Sequence, residues 1–374
     1  MKNNIYLDYA ATTPLKPKVK DYIIDLLDDF YNPSSQYQDG ANVRAMIRMA
    51  RCSVADFIGV CVDDVVFTSS GSASNTLAIT GYATNNTCTV YHSPTMHKSA
   101  LKAVESLKDK MCIKLKVGKT GMIDYEYLSQ WLKINPVKPF VVMEYANSEI
   151  GTIQLVYEII KLVHEYNGIV YLDCTGAIPY IEINNIKLKA DMIGFSAHKL
   201  GALKGTGVLY YNRKKLGQLK PLVYGSQENG LFGGTENVIG ICALQQAIYH
   251  YDYDLISSKN RDYVLNYIRD NIENAYLVGS EGSRLPNNLY VCIKCVSGEA
   301  LMILLDEDGI QISTGSACNA GSPDPSTTLL AIGMPEEDLH SCIRMTFSGK
   351  ETKEELDYVC EKLKQRIEIL RKFS

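Results

Sequence analysis

The sequence predicts an α/β protein: a large domain with a mostly parallel seven-stranded sheet covered by helices, joined to a smaller α+β C-terminal domain. Three observations predict it. At 374 residues the chain exceeds the roughly 250 to 300 at which a single hydrophobic core stops growing, so two cores are expected. From Lys16 to about Cys242, short apolar runs alternate with stretches of helical periodicity, as in a parallel sheet whose crossovers are helices. Beyond that point two long helical stretches follow one another and the rhythm changes.

In chain order the strands expected in the large sheet are "DVVFTS", "CTVYH", "MCIKLKV", "PFVVMEY", "GIVYLDC", "ADMIGFS" and "GVLYYN". Each is apolar but too short for a helix of ordinary length. Between them "TLAITGYAT", "KSALKAVESLK", "YEYLSQWLK" and "VYEIIKLVHEYNG" read as helices, the last ended by its glycine. "IGICALQQAIYHYDYDLI" and "RDYVLNYIRDNIENA" are the two long helical stretches. After them come strands "NNLYVCIK" and "IQISTG" and helices "GEALMILLDEDG" and "KEELDYVCEKLKQRIEIL". The large domain is placed at 14–240, and the small domain at 241–374 together with the N-terminal segment 1–13.

Hydrophobic residues make up 46% of the chain and the net charge is -4, so there is no general electrostatic pull toward nucleic acid or anionic membranes. "MKNNIYLDYAATTP" lacks the features of a signal peptide, and no run is apolar enough to span a bilayer, which points to the cytoplasm. The 11 cysteines are irregularly spaced and are expected as reduced thiols. Cys292 and Cys295 lack the further ligands of a metal site and are expected as buried strand residues.

In doubly wound sheets ligands sit beyond the carboxyl ends of the strands. There "SGSASNT", Ser70 to Thr76, offers small residues at a helix N-terminus, a setting in which backbone N–H groups can hold a phosphate. Asp173 ends one strand, and Ser196, His198 and Lys199 end another. A strand-end lysine to form a Schiff base, an aspartate to keep a pyridine nitrogen protonated and a phosphate turn are what pyridoxal phosphate requires.

"YLDYAATTP", "NPSS", "FTSSGSASN", "ANSEIGTIQ", "SAHK", "LKGTG", "GSQENGLFGGTEN", "STGSAC" and "IRMTFSG" follow one another almost end to end. In that order and spacing the chain resembles the cysteine desulfurases of the NifS/IscS type, within the class V aminotransferase family of fold-type I pyridoxal-phosphate enzymes. The resemblance implies that Lys199 is the Schiff-base lysine, Asp173 the partner of the pyridine nitrogen and His97 the imidazole stacked on the ring. It implies Gly71, Ser72, Ser196 and His198 as phosphate anchors, with Asn147 and Ser148 also at the cofactor. Thr235 corresponds to a threonine that reaches the cofactor phosphate of the neighbouring subunit, so a homodimer is implied. Arg344 corresponds to the arginine that grips the substrate carboxylate, Asn32 to a contact near it, and Cys318 to the nucleophile that takes up sulfur.

The implied activity is conversion of L-cysteine to L-alanine, with a persulfide left on Cys318. An acceptor protein, an iron–sulfur scaffold or a tRNA-thiolation protein, is expected to collect that sulfur. Alternatives are a pyridoxal-phosphate lyase or aminotransferase acting on another amino acid, such as selenocysteine, and a catalytically impaired dimeric homologue. Four positions depart from the family pattern. Gly176 and Ser148 stand where a glutamine and an asparagine bond the cofactor's phenolic oxygen, and Ala73 and Phe232 stand where a glutamate and an arginine are usual.

Overall fold

The structure, a computed structural model, describes residues 4–253, 257–315 and 325–372. Strand β1 (Ile5–Tyr6) opens the chain. The expected runs of the large sheet become β2 (Val65–Thr68), β3 (Thr89–His92), β4 (Cys112–Lys114), β5 (Pro139–Glu144), β6 (Ile169–Asp173), β7 (Met192–Ser196) and β8 (Gly207–Tyr211). They form one seven-stranded sheet in the order β2-β8-β7-β6-β5-β3-β4. β8 is antiparallel to both neighbours, and the remaining neighbouring pairs are parallel. Every residue of β5, β6, β7 and β8 is buried, as strands covered on both faces require. This order sets the ends of β5, β6 and β7 side by side, with Glu144 in register with Asp173 and Asp173 with Gly194.

A second core forms around β9 (Ala275–Leu277), β10 (Asn288–Ile293), β11 (Ile310–Gln311), β12 (Ser313–Thr314) and β13 (Cys342–Thr346). Four of these make an antiparallel sheet in the order β12-β13-β10-β9, while β11 pairs with β1. Ile5 and Leu7 are buried in this core with Leu301 and Leu363. Helix Lys353–Arg371 is started by a capping box between Thr352 and Glu355.

Several features of the structure bear on the sequence reading. Helix Val238–Tyr249 buries Ile241, Ala243, Leu244 and Ala247 in the core of the large sheet. We therefore propose that the boundary between the two units lies beyond Tyr249 rather than near residue 240. The helical rhythm also stops there: Tyr251 and Tyr253, both half-buried, turn back and donate their hydroxyls to Pro179 O and Ile178 O. Helix Val156–Glu165 is ended by Asn167, which takes the left-handed conformation at φ 53°, rather than by Gly168. Gly168 answers a packing need instead, because a Cβ there would lie 2.5 Å from Val163 Cγ1. Cys292 is buried on β10, but Cys295 is exposed in the turn that follows, at φ 61°. Among the described residues no helix is long and apolar enough to cross a membrane.

Candidate active site

β2 ends at Thr68, and helix Gly71–Asn85 starts directly over the strand ends. Gly71 makes that approach possible, since a Cβ there would stand 3.2 Å from both Ser196 Cβ and Thr175 Oγ1. Ser70 caps the helix: its Oγ accepts from Ala73 N at 3.1 Å and its carbonyl from Ser74 N at 3.0 Å. The N–H groups of Gly71 and Ser72 are left by this cap to face a ligand.

A cavity of about 940 Å³ opens over the strand ends. Gly71, Ser72, His97, Asn147, Ser148 and Asp173 line it, as do Ser196, His198, Lys199 and Arg344. Asn32 and Thr235 are exposed and do not line it. Asn32 instead holds a turn, its Oδ1 accepting from Ser34 N at 2.8 Å. Cys318 lies outside the described residues, and Gly315, three positions before it, lines the cavity.

Asp173 is buried at the end of β6 and is held from both sides. Oδ1 accepts from Thr175 N at 2.9 Å and Oδ2 from Asn75 Nδ2 at 2.8 Å. Asn75 was not singled out in the sequence, yet it organises the site. Its Oδ1 accepts from the Tyr171 hydroxyl, and its second amide hydrogen goes to Ser99 Oγ at 3.0 Å. Ser99 Oγ in turn lies 2.7 Å from His97 Nδ1, which also accepts from Ser99 N at 3.2 Å. An Nδ1 that accepts a backbone N–H carries no hydrogen, so the neutral His97 ring carries its hydrogen on Nε2. The only sequence signal for Asn75 is its place one helical turn beyond Gly71.

The N-terminal segment closes the other side. Lys199 Nζ donates to Ala10 O and, at 2.6 Å, to Ala11 O. Thr13 donates to His198 O from both N and Oγ1, and Thr12 Oγ1 is 3.0 Å from His198 Nδ1. Burial, reinforced by the positive charges of Lys199 and Lys204, pushes the His198 imidazole down to about 4, so it is neutral near pH 7. Where Thr12 donates to Nδ1, the neutral ring carries its hydrogen on Nε2.

Arg344, on β13, brings the second core to the cavity. One terminal nitrogen forms a 2.8 Å ion pair with Asp8 Oδ1 and the other donates to Ser148 O at 3.2 Å, while Nε is buried without a partner. Asn147 uses its Oδ1 for Glu149 N and Ile150 N and one amide hydrogen for Thr95 O, which leaves one hydrogen for a ligand. Two of the departures from the family pattern touch. A Cβ at Gly176 would lie 2.8 Å from Ala146 O and 3.4 Å from Ser148 Cβ, so a larger side chain at 176 would displace the segment that carries Ser148.

Residues 5–359 match the family described as Aminotransferase class-V. The chain belongs to that family. Cysteine desulfurase IscS of Dictyoglomus turgidum is 36% identical over 100% of this chain and 97% of its own. Among solved structures, a NifS-like protein matches with a TM-score of 0.89 at 27% identity, covering 98% of this chain and 100% of that one. SspA in complex with cysteine matches with a TM-score of 0.81 at 27% identity, covering 93% of this chain and 100% of that one. Within the class-V family the chain stands with the cysteine desulfurases of the NifS/IscS type, which depend on pyridoxal phosphate.

The residues present suit that cofactor. Gly71, Ser72, Ser196 and His198 line one side of the cavity and would offer donors to a phosphate. The buried Asp173 carboxylate, fixed by two N–H donors, would suit a protonated ring nitrogen, and Lys199 would offer the amine.

Proposed function

We propose that this chain converts L-cysteine to L-alanine in the cytoplasm and loads the released sulfur on Cys318 as a persulfide for transfer to an acceptor protein. The observation that carries this reading is the convergence on one cavity of Lys199, Asp173, His97 and Arg344 from separate elements of a class-V aminotransferase. Bound pyridoxal phosphate supplies an electron sink for the negative charge that develops at the substrate α-carbon. Lys199 would hold the cofactor through its amine, and that amine would serve as the base that takes the substrate α-proton. Arg344 orients the substrate by its carboxylate, and the pairing with Asp8 fixes the guanidinium plane. His97, which lines the cavity, would face the cofactor ring and carry a proton to the reacting atoms. The Cys318 thiolate attacks the substrate Sγ and the Cβ–Sγ bond breaks. Cysteine loses one sulfur, the thiol gains it and alanine leaves, so no external oxidant is needed.

The active form in this proposal is a homodimer. Phe30 is 81% exposed and stacks on Tyr31, next to exposed Tyr37, and Tyr249 is exposed on a neighbouring helix. Apolar surface of this kind suits a second copy, and exposed Thr235 is free to reach across to it. The deciding experiment incubates the protein with pyridoxal phosphate and L-cysteine and follows intact mass and alanine release. The wild type gains one sulfur atom on Cys318, and Cys318→Ala gains none. Sulfide release by Cys318→Ala at the wild-type rate would overturn the mechanism.

A further inference from the structure

Glu144, the last residue of β5, has no part in the chemistry described above, yet it is 4% exposed and lines the cavity. Its register partner on the adjacent parallel strand is Asp173, so the two carboxyls leave neighbouring strands at the same level, about 4.8 Å apart at the backbone. Their surroundings are opposite. Asp173 receives two N–H donors. Glu144 Oε1 receives the Thr95 hydroxyl, and Oε2 is buried without a partner. An ionised carboxylate with one bare buried oxygen costs more than a neutral acid there. Burial accordingly pushes the Glu144 carboxyl up; the hydrogen bond from Thr95 opposes this, and the charge of Asp173 adds to it. Thr95 also accepts Asn147 Nδ2 on its carbonyl at 2.7 Å, and it lies two residues before His97.

We infer that Glu144 and Asp173 share a single negative charge, with the charge on Asp173 and the proton on Glu144, and that neutral Glu144 is a positioning residue anchoring the loop from Ser93 to His97. This rests on the reading of Asp173 as the partner of the cofactor's ring nitrogen. With Glu144 neutral, that nitrogen meets one carboxylate and not two, so the strength with which its proton is held is set by Asp173 alone.

The test has two arms. In cofactor-free protein near pH 7, infrared difference spectra of wild type against Glu144→Gln show a protonated carboxyl C=O band that the variant lacks. A carboxylate band lost in its place overturns the assignment. In the second arm pyridoxal phosphate is titrated into each protein. Glu144→Gln, which keeps an acceptor for Thr95 and stays neutral, binds within about twofold of wild type, while Glu144→Met binds about tenfold more weakly. Equal weakening in Gln and Met shows that the charge is needed, and wild-type affinity in Met shows that the anchor is not; either overturns the inference. If the wild type takes up no pyridoxal phosphate, the proposed function fails, and the infrared arm still decides the protonation of Glu144.

Discussion

Neutral His198 couples the stability of the site to acid. Its folded value of about 4 lies below the ordinary 6.5, so the unfolded chain takes up the proton first as pH falls. The contribution is fully present above about 6.5 and is lost as pH drops toward 4. Urea unfolding of cofactor-free wild type and His198→Gln should show the stability difference shrinking by on the order of 2 kcal/mol from pH 7 to pH 4, allowing for the residue's partial exposure. Parallel curves would remove His198 from the account. Arg344 makes a second prediction at this scale. Lysine keeps the charge but not the fork that serves both Asp8 and a carboxylate, so Arg344→Lys should lower kcat/KM for cysteine by about tenfold or more, mainly through KM.

Among the elements, β2 is an edge strand of the large sheet, buried along its length, and leads into the helix that faces the cavity. Glu228 seals that edge. Oε2 accepts from Phe67 N at 2.8 Å, and both carboxylate oxygens accept from Arg51, at 2.6 and 2.7 Å. Arg51 also donates to Val65 O at 2.6 Å, so the pair stands in for a missing neighbouring strand. Glu228 is almost fully buried, and removing Arg51 would strand its charge. Arg51→Met should cost about 3–5 kcal/mol in denaturant unfolding, and the double variant Arg51→Met/Glu228→Met should cost less than the single one. A double variant that loses more than the single would show that the edge needs the pair itself.

For the whole molecule, the N-terminal segment ties the two cores together. Ile5 and Leu7 are buried in the second, Asp8 pairs with Arg344, Thr12 and Thr13 hold His198, and Lys16 donates to Ala247 O and His250 O at 3.1 and 3.2 Å. Burial, with the charge of Lys350 adding to it, pushes Lys16 down to about 8, even though the two carbonyls and the Tyr251 ring favour the ammonium. The proposed homodimer belongs to the same scale. Sedimentation equilibrium of the wild type at micromolar concentration should give the dimer mass, and Phe30→Glu should shift it toward the monomer. A monomeric wild type would remove the homodimer from the proposal.

Much of this protein is legible along the chain. Runs such as "PFVVMEY" and "ADMIGFS" announce buried strands because burial on both faces demands continuous apolar sequence, a local property. Lys199 and Asp173 stand out because a charge at the end of such a run needs a reason. Where local signals compete, the reading slips: Asn167 outranks Gly168 as the helix stop, and "HYDYDLI" keeps a helical rhythm that two half-buried, hydrogen-bonded phenols interrupt. By itself, then, the sequence determined the strands of the large sheet, the family and most of the residues proposed for the site. Only the tertiary structure decided that Asn75 joins Asp173 to His97, that Glu144 lies level with Asp173, that two alanine carbonyls meet Lys199, and that Asn32 and Thr235 stand outside. Those facts depend on strand order and on segments nearly two hundred residues apart in the chain, and no local pattern encodes either.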